Sequence, residues 1–99
     1  MKVLYVDIDE TICTTPKNRN YHEATPIKNN IDKINKLYDE GNTIVYWTSR
    51  GSRKQIDWYD LTKAQLISWG AKFNELRVDK PYYDIFIDDK TLRIEEIKK

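Results

Sequence analysis

Hydrophobic and polar positions along the chain fall into short blocks whose period changes from one to the next. Residues 2–8 (KVLYVDI) form an apolar run rich in β-branched and aromatic side chains, with acids only at its end. That pattern predicts a buried strand leading straight into DIDET. Residues 12–25 show no period and carry Pro16 and several cations, which predicts a loop. Thr25 followed by Pro26 has the form of an N-cap with proline at the first helical position. Ile27, Ile31, Ile34, Leu37 and Tyr38 then recur on one helical face until Gly41. Residues 42–47 (NTIVYW) predict a second buried strand, which delivers Thr48-Ser49-Arg50-Gly51 to its C-terminal end.

A second helix is expected within 52–70, its core at 60–69. If it is helical from Trp58, one face carries Trp58, Leu61, Thr62, Gln65, Leu66 and Trp69. Thr62 and Gln65 then interrupt an apolar stripe, and as buried polar groups they need partners; the 49–53 loop with Arg50 is the candidate. If it starts at Asp60, the two sit at its margin. Residues 76–78 fit a short third strand and 83–87 (YDIFI) a fourth, ending in Asp88-Asp89. The tail TLRIEEIKK suits a short strand or a helical turn equally. Strands alternating with helices predict an α/β fold, a small Rossmann-like three-layer sandwich with a mostly parallel sheet of four to five strands. A length of 99 residues allows a single domain, 1–99.

Composition narrows the function classes. Lys plus Arg is 17 and Asp plus Glu 16, so a net charge of +1 gives no whole-molecule attraction to nucleic acid or anionic membrane. Twelve percent aromatics argue against disorder. One cysteine, Cys13, excludes an internal disulfide, and no Cys/His spacing resembles a zinc site. No apolar run approaches the ~20 residues of a membrane span, nor the apolar stretch of a signal peptide, so a cytoplasmic protein is expected.

The chemistry lies at the strand ends. Asp7 and Asp9, Thr48, and Asp88 and Asp89 all follow apolar strands, at the edge where open α/β sheets bind ligands. Two carboxylates ~5 Å apart repel by roughly 3 kcal/mol at an effective dielectric of 20, so a cluster of four calls for protons or a cation. An all-oxygen set suits Mg²⁺, and Lys80 and the Thr48 hydroxyl suit phosphoryl oxygens. The residues therefore point to Mg²⁺-assisted phosphoryl chemistry. An EF-hand loop beginning at Asp7 would place Gly and Glu where Ile12 and Asn18 stand. A response-regulator receiver would order its Asp, Thr and Lys differently.

DIDETI, TIVYWTSRG, Lys80 in VDKPYYD, and IFIDDK together resemble, in order, the four motifs of the haloacid dehalogenase superfamily of phosphotransferases, over residues 3–90. The resemblance implies Asp7 as nucleophile forming an aspartyl-phosphate, and Asp9 as general acid and base with a pKa raised by its like-charged neighbours. It also implies Thr48 and Lys80 on the transferring phosphoryl group. Mg²⁺ would sit on Asp7, Asp88, the Asp9 carbonyl and Asp89. Thr11, Ser49, Arg50 and Arg53 are the expected substrate-binding residues, with Lys54 on the same rim and Lys17, Arg19 and His22 on the flap opposite. No lid domain fits between the motifs, so the open site implies a large substrate or a neighbouring subunit, as in a homo-oligomer. A finer likeness, carried by DIDETIC, TSRGS and KPYYDIFIDDK, is to small lidless phosphatases of capsular polysaccharide biosynthesis. It implies a phosphorylated sugar or glycan-precursor substrate. Asp79 stands where that motif often has Gly before the lysine. The alternatives are a phosphatase for nucleotide or nucleic-acid ends, and a non-catalytic phosphate- and Mg²⁺-binding module.

Overall fold

The structure, a computed structural model, describes residues 1–52 and 56–98. In chain order its elements are β1 (Val3–Val6), β2 (Cys13–Thr14), β3 (Thr25–Pro26), α1 (Lys28–Asp39), β4 (Thr43–Trp47), α2 (Tyr59–Ser68) and β5 (Glu75–Arg77). Single 3₁₀ turns occupy Tyr21–Glu23 and Ile94–Glu96. The main sheet is parallel with order β1-β4-β5, and Val6, Tyr46 and Leu76 lie side by side across it.

Two crossovers of one hand that step in the same direction carry both helices to the same face of a sheet. Ile31 and Ile34 of α1 and Leu66 of α2 accordingly share one buried cluster with Val6, Ile44, Tyr46 and Leu76. Each such aliphatic side chain contributes roughly 1.5–3 kcal/mol by leaving water. On the opposite face of β1, Val3 and Tyr5 remain exposed. Among the described residues the main sheet therefore has three strands and its helices lie on one side, in place of the expected four to five strands and three layers.

The missing strand is residues 83–87, which adopt no regular structure. An apolar run becomes a strand only where a ladder partner buries it, and Ile85 and Ile87 are 77% and 92% exposed. The tail resolves into the 3₁₀ turn, which buries Ile94 in the core.

Helix α1 starts two residues later than its proline suggested. Thr25 and Pro26 pair antiparallel with Thr14 and Cys13, so Ile27 becomes the N-cap, without a side-chain cap bond. At the other end Gly41 takes φ +95°, and its N–H and that of Asn42 bond back to the carbonyls of Tyr38 and Leu37. No helix among the described residues is long and apolar enough to cross a membrane.

Tyr46 is fully buried, its ring edge-on to Phe73, and its hydroxyl has no hydrogen-bond partner among the described residues. Burial pushes its pKa well above the usual tyrosine value. Removing that hydroxyl sacrifices no protein hydrogen bond and abolishes a desolvation cost. Tyr46→Phe is therefore expected to leave the urea midpoint unchanged or raise it; a clear fall would show the hydroxyl to be satisfied.

Candidate active site

The turn after β1 is compact. The N–H groups of Thr11 and Ile12 both bond to the Ile8 carbonyl, and the Glu10 N–H bonds to the Cys13 carbonyl. Glu10 takes φ +64° to close it, and its carboxylate is joined at 2.8 Å to Arg19, another left-handed residue. The turn leaves Asp7 and Asp9 at the end of the strand with separate surroundings.

Asp7 accepts a hydrogen bond from the Thr11 hydroxyl at 3.2 Å on one oxygen and faces Lys80 Nζ at 3.4 Å on the other. Lys80 is buried, with its ammonium over the rings of Trp47 (5.5 Å) and Tyr83 (5.3 Å). The Lys80 N–H bonds to the Thr48 carbonyl, and Ser52 Oγ donates to the Lys80 carbonyl at 2.8 Å. Burial raises the Asp7 pKa above its ordinary value, and the Lys80 charge offsets part of that rise.

Asp9 stands in contrast. Burial alone would push its pKa up, but Arg50, with Thr15 and Cys13, outweighs that effect and holds it below its ordinary value. The Arg50 guanidinium grips both Asp9 oxygens, Nε at 3.0 Å and Nη2 at 2.8 Å. The Thr15 hydroxyl also donates to Asp9. This overturns the expectation that like charges raise the Asp9 pKa.

Arg50 itself is a correction to its expected place on the substrate rim. Its side chain has no solvent exposure. Nη1 donates to Thr62 Oγ1 at 3.1 Å and to Gln65 Oε1 at 2.6 Å, and Nη2 also approaches Cys13 Sγ at 3.9 Å. With the two bonds to Asp9, all five N–H donors are engaged within the chain. The Tyr21 ring covers the guanidinium at 4.6 Å, and Gln65 is fixed in turn by donating to the Tyr21 carbonyl at 2.6 Å. The polar pair on α2 is thus the holder of Arg50. Immediately after it, Gly51 adopts φ +82°, and a Cβ there would lie 1.9 Å from the Ile56 carbonyl oxygen. Only glycine passes.

Thr48 is buried at the end of β4, where its hydroxyl oxygen accepts the Arg50 N–H at 3.2 Å and keeps its own proton to donate. A cavity of about 710 Å³ opens over Asp7, Asp9, Thr48, Ser49 and Lys80. Tyr21, Trp58, Tyr82 and Tyr83 also line it. These aromatic walls escaped sequence reading because they come from separate segments with no shared spacing. Asp79 does not crowd the ammonium of Lys80: Arg77 and Trp47 Nε1 hold its carboxylate, and the Arg77 bond keeps its pKa low. Burial pushes the Cys13 thiol up to about 11, so it is a weak donor and no nucleophile near neutrality.

Asp88 and Asp89 are exposed, and Asp88 accepts the Lys90 N–H at 2.9 Å. Asp88 lines a second cavity with Asp7 and Asp9, but among the described residues no three acidic, His or Cys side chains converge closely enough to hold a metal ion. The expected four-residue Mg²⁺ set is not assembled among the described residues. Arg53 and Lys54 lie outside the described residues.

No protein-family model matches the chain, and no curated protein matches it. It is similar to a crystal structure of an MCSG target from Vibrio cholerae, a name that states no function. The two are 25% identical, with a TM-score of 0.86 over 97% of this chain and 86% of that one. The likeness supports the α/β fold across nearly the whole chain.

Because the Asp9 pKa lies below its ordinary 3.8, the Arg50 pairing stabilises the fold fully above that value. The contribution is lost as the pH falls through the lowered value. Arg50→Met is expected to cost about 3 kcal/mol in urea unfolding at neutral pH by leaving a partly buried carboxylate unpaired. The gap between wild type and variant should close on acidification below pH ~4. A gap that persists unchanged into acid would show that Arg50 acts by packing alone.

Proposed function

We propose that the protein is a phosphomonoesterase that works through an aspartyl-phosphate on Asp7, acting on a phosphorylated sugar or glycan precursor. One observation carries this reading: a strand-end carboxylate stands 3.4 Å from a buried lysine, beside a buried threonine, at the floor of an aromatic-walled cavity. In the first step an Asp7 oxygen attacks phosphorus, the P–O bond to the alcohol breaks, and the departing alkoxide oxygen takes a proton from solvent water. Lys80 and the Thr48 hydroxyl would neutralise charge on the phosphoryl oxygens. In the second step water attacks phosphorus, releasing Asp7 and inorganic phosphate.

Asp9, held ionised by Arg50, suits the second step, in which it accepts the proton of the attacking water. The lowered pKa does not support it as the proton donor of the first step. Mg²⁺ belongs to the reading through the resemblance, but the donors of one chain do not fit it, and no step above passes through the ion. Stacking of Tyr21, Trp58, Tyr82 and Tyr83 on a ring favours a ring-bearing phosphate ester over an acyclic one. A nucleotide or oligonucleotide end remains the second reading, since every base also offers a flat face.

Phosphate release should be measured over sugar phosphates, nucleotides and 3′-phosphorylated oligonucleotides, with and without Mg²⁺. Wild type is expected to prefer the sugar esters and folded Asp7→Asn to fall to background. Release by Asp7→Asn equal to wild type would sink the mechanism. Since the Lys80 charge lowers the Asp7 pKa, Lys80→Met is expected to move the Asp7 carboxyl titration, read by ¹³C NMR, to higher pH. A shift to lower pH would contradict the ion pair.

A further inference from the structure

The flap between β2 and β3, residues 15–24, is tied down along its length. Asn18 Oδ1 accepts the Asn20 N–H at 3.0 Å, and Asn20 Oδ1 accepts the His22 N–H at 3.2 Å, so each asparagine closes the turn that follows it. Beyond them Gln65 Nε2 holds the Tyr21 carbonyl at 2.6 Å. The Trp58 ring meets Tyr21 and His22 edge-on, with centroids 5.2 and 5.6 Å apart. Whatever the flap presents to the cavity is therefore presented in one place.

Arg19 stands at its tip. The backbone there is left-handed, φ +59°, and the N–H bonds to the Pro16 carbonyl at 2.8 Å. Its Nη1 reaches Glu10, the other left-handed non-glycine residue among those described. An exposed ion pair returns little stability, while left-handed backbone is costly for a residue with a side chain. The pairing is better accounted for by where it puts the guanidinium. Among the described residues Arg19 and Lys80 are the two cationic side chains that line the cavity of about 710 Å³, Lys80 buried at its floor and Arg19 exposed at its rim. Glu10 engages Nη1 of Arg19, and neither Nε nor Nη2 bonds to any described residue. That edge is the side of a guanidinium that meets a carboxylate or a phosphate with two parallel bonds.

We infer that the substrate carries, besides its phosphoryl group, a second anionic group that Arg19 binds at the rim of the cavity. The ring of the substrate then lies between the two anions, against Tyr21 and Trp58. Charge at the site fits this division. Asp9 is neutralised by Arg50, and Lys80 serves the phosphoryl group beside Asp7, so a second anion is left to Arg19. Glu10 is a positioning residue in this scheme, holding the guanidinium by one nitrogen and leaving the opposite edge for the ligand. The inference names the substrate class of the proposed site and rests on the phosphatase reading.

The test uses three esters that share one ring and one 1-phosphate: glucose 1-phosphate, glucuronic acid 1-phosphate and glucose 1,6-bisphosphate. Release is followed by ³¹P NMR, which tells the ester positions apart. For wild type, kcat/KM on a doubly anionic ester is expected to exceed that on glucose 1-phosphate about tenfold, mainly through KM. Whichever of the two leads identifies the second group as carboxylate or phosphate. Arg19→Met should bring the ratio close to one, and Arg19→Lys, which keeps the charge without the fork, should fall between. Lys17→Met removes an equal charge from the flap at a residue that does not line the cavity, and should keep the wild-type ratio. A wild-type ratio near one, a ratio that survives Arg19→Met, or an equal fall in Lys17→Met overturns the proposal. The same esters titrated calorimetrically into Asp7→Asn, with and without Arg19→Met, report affinity without turnover. An affinity preference that Arg19→Met removes, in a protein whose wild type releases no phosphate, keeps the Arg19 subsite and removes the phosphatase reading. Release by wild type without any preference keeps that reading and removes the subsite.

Discussion

The bond between Arg50 and Asp9 fixes the rest of the site. A guanidinium without solvent contact has to be neutralised and fully hydrogen-bonded, or the fold loses several kcal/mol. Asp9, Thr62, Gln65 and Cys13 meet that demand from two separate stretches of chain, and Tyr21 closes the open face from a third. The turn after β1, the flap and α2 are therefore held to one point. Asp7 and Lys80 stand just outside that point, with fewer bonds and more solvent. Rigidity and reactivity are divided between adjacent carboxylates in a single turn.

That division also sorts the two acids chemically. Both are desolvated, and desolvation favours the protonated form of each. What separates them is the partner: a bidentate guanidinium overcomes the penalty at Asp9, whereas a single ammonium at 3.4 Å only moderates it at Asp7. Counting charges along the sequence suggested the reverse order, because acids were visible as neighbours while the arginine forty-one residues away was not.

Much of the architecture was legible in the chain. The apolar runs at 2–8 and 42–47, the helical stripe from Ile31 to Tyr38 and the stop at Gly41 became β1, β4 and α1. On one of the two readings of α2, that of a helix from Trp58, Thr62 and Gln65 pointed to a buried polar partner, and both are buried. The rest depended on tertiary circumstance. Thr25-Pro26 reads as a helix start, but pairing with Cys13 and Thr14 made it a strand. YDIFI reads as a buried strand, yet burial requires an edge to pair with, and hydropathy records no edges. Arg50 reads as a substrate-binding cation of the rim; only packing reveals its five filled donors.

The closure around Arg50 bears on how such a site changes over time. A residue whose every donor is engaged cannot be altered alone without releasing several partners at once, so the floor of the pocket resists gradual drift. Among the aromatic walls Tyr21 shares that obligation, since its ring covers the guanidinium, while Tyr83 stands over Lys80 instead. Tyr82 lies exposed in a connecting segment, whereas Trp58, half-buried at the start of α2, packs edge-on against Tyr21 and His22. On the phosphatase reading, diversification of substrate choice would therefore proceed from the exposed rim inward, with the floor around Arg50 inherited nearly unchanged.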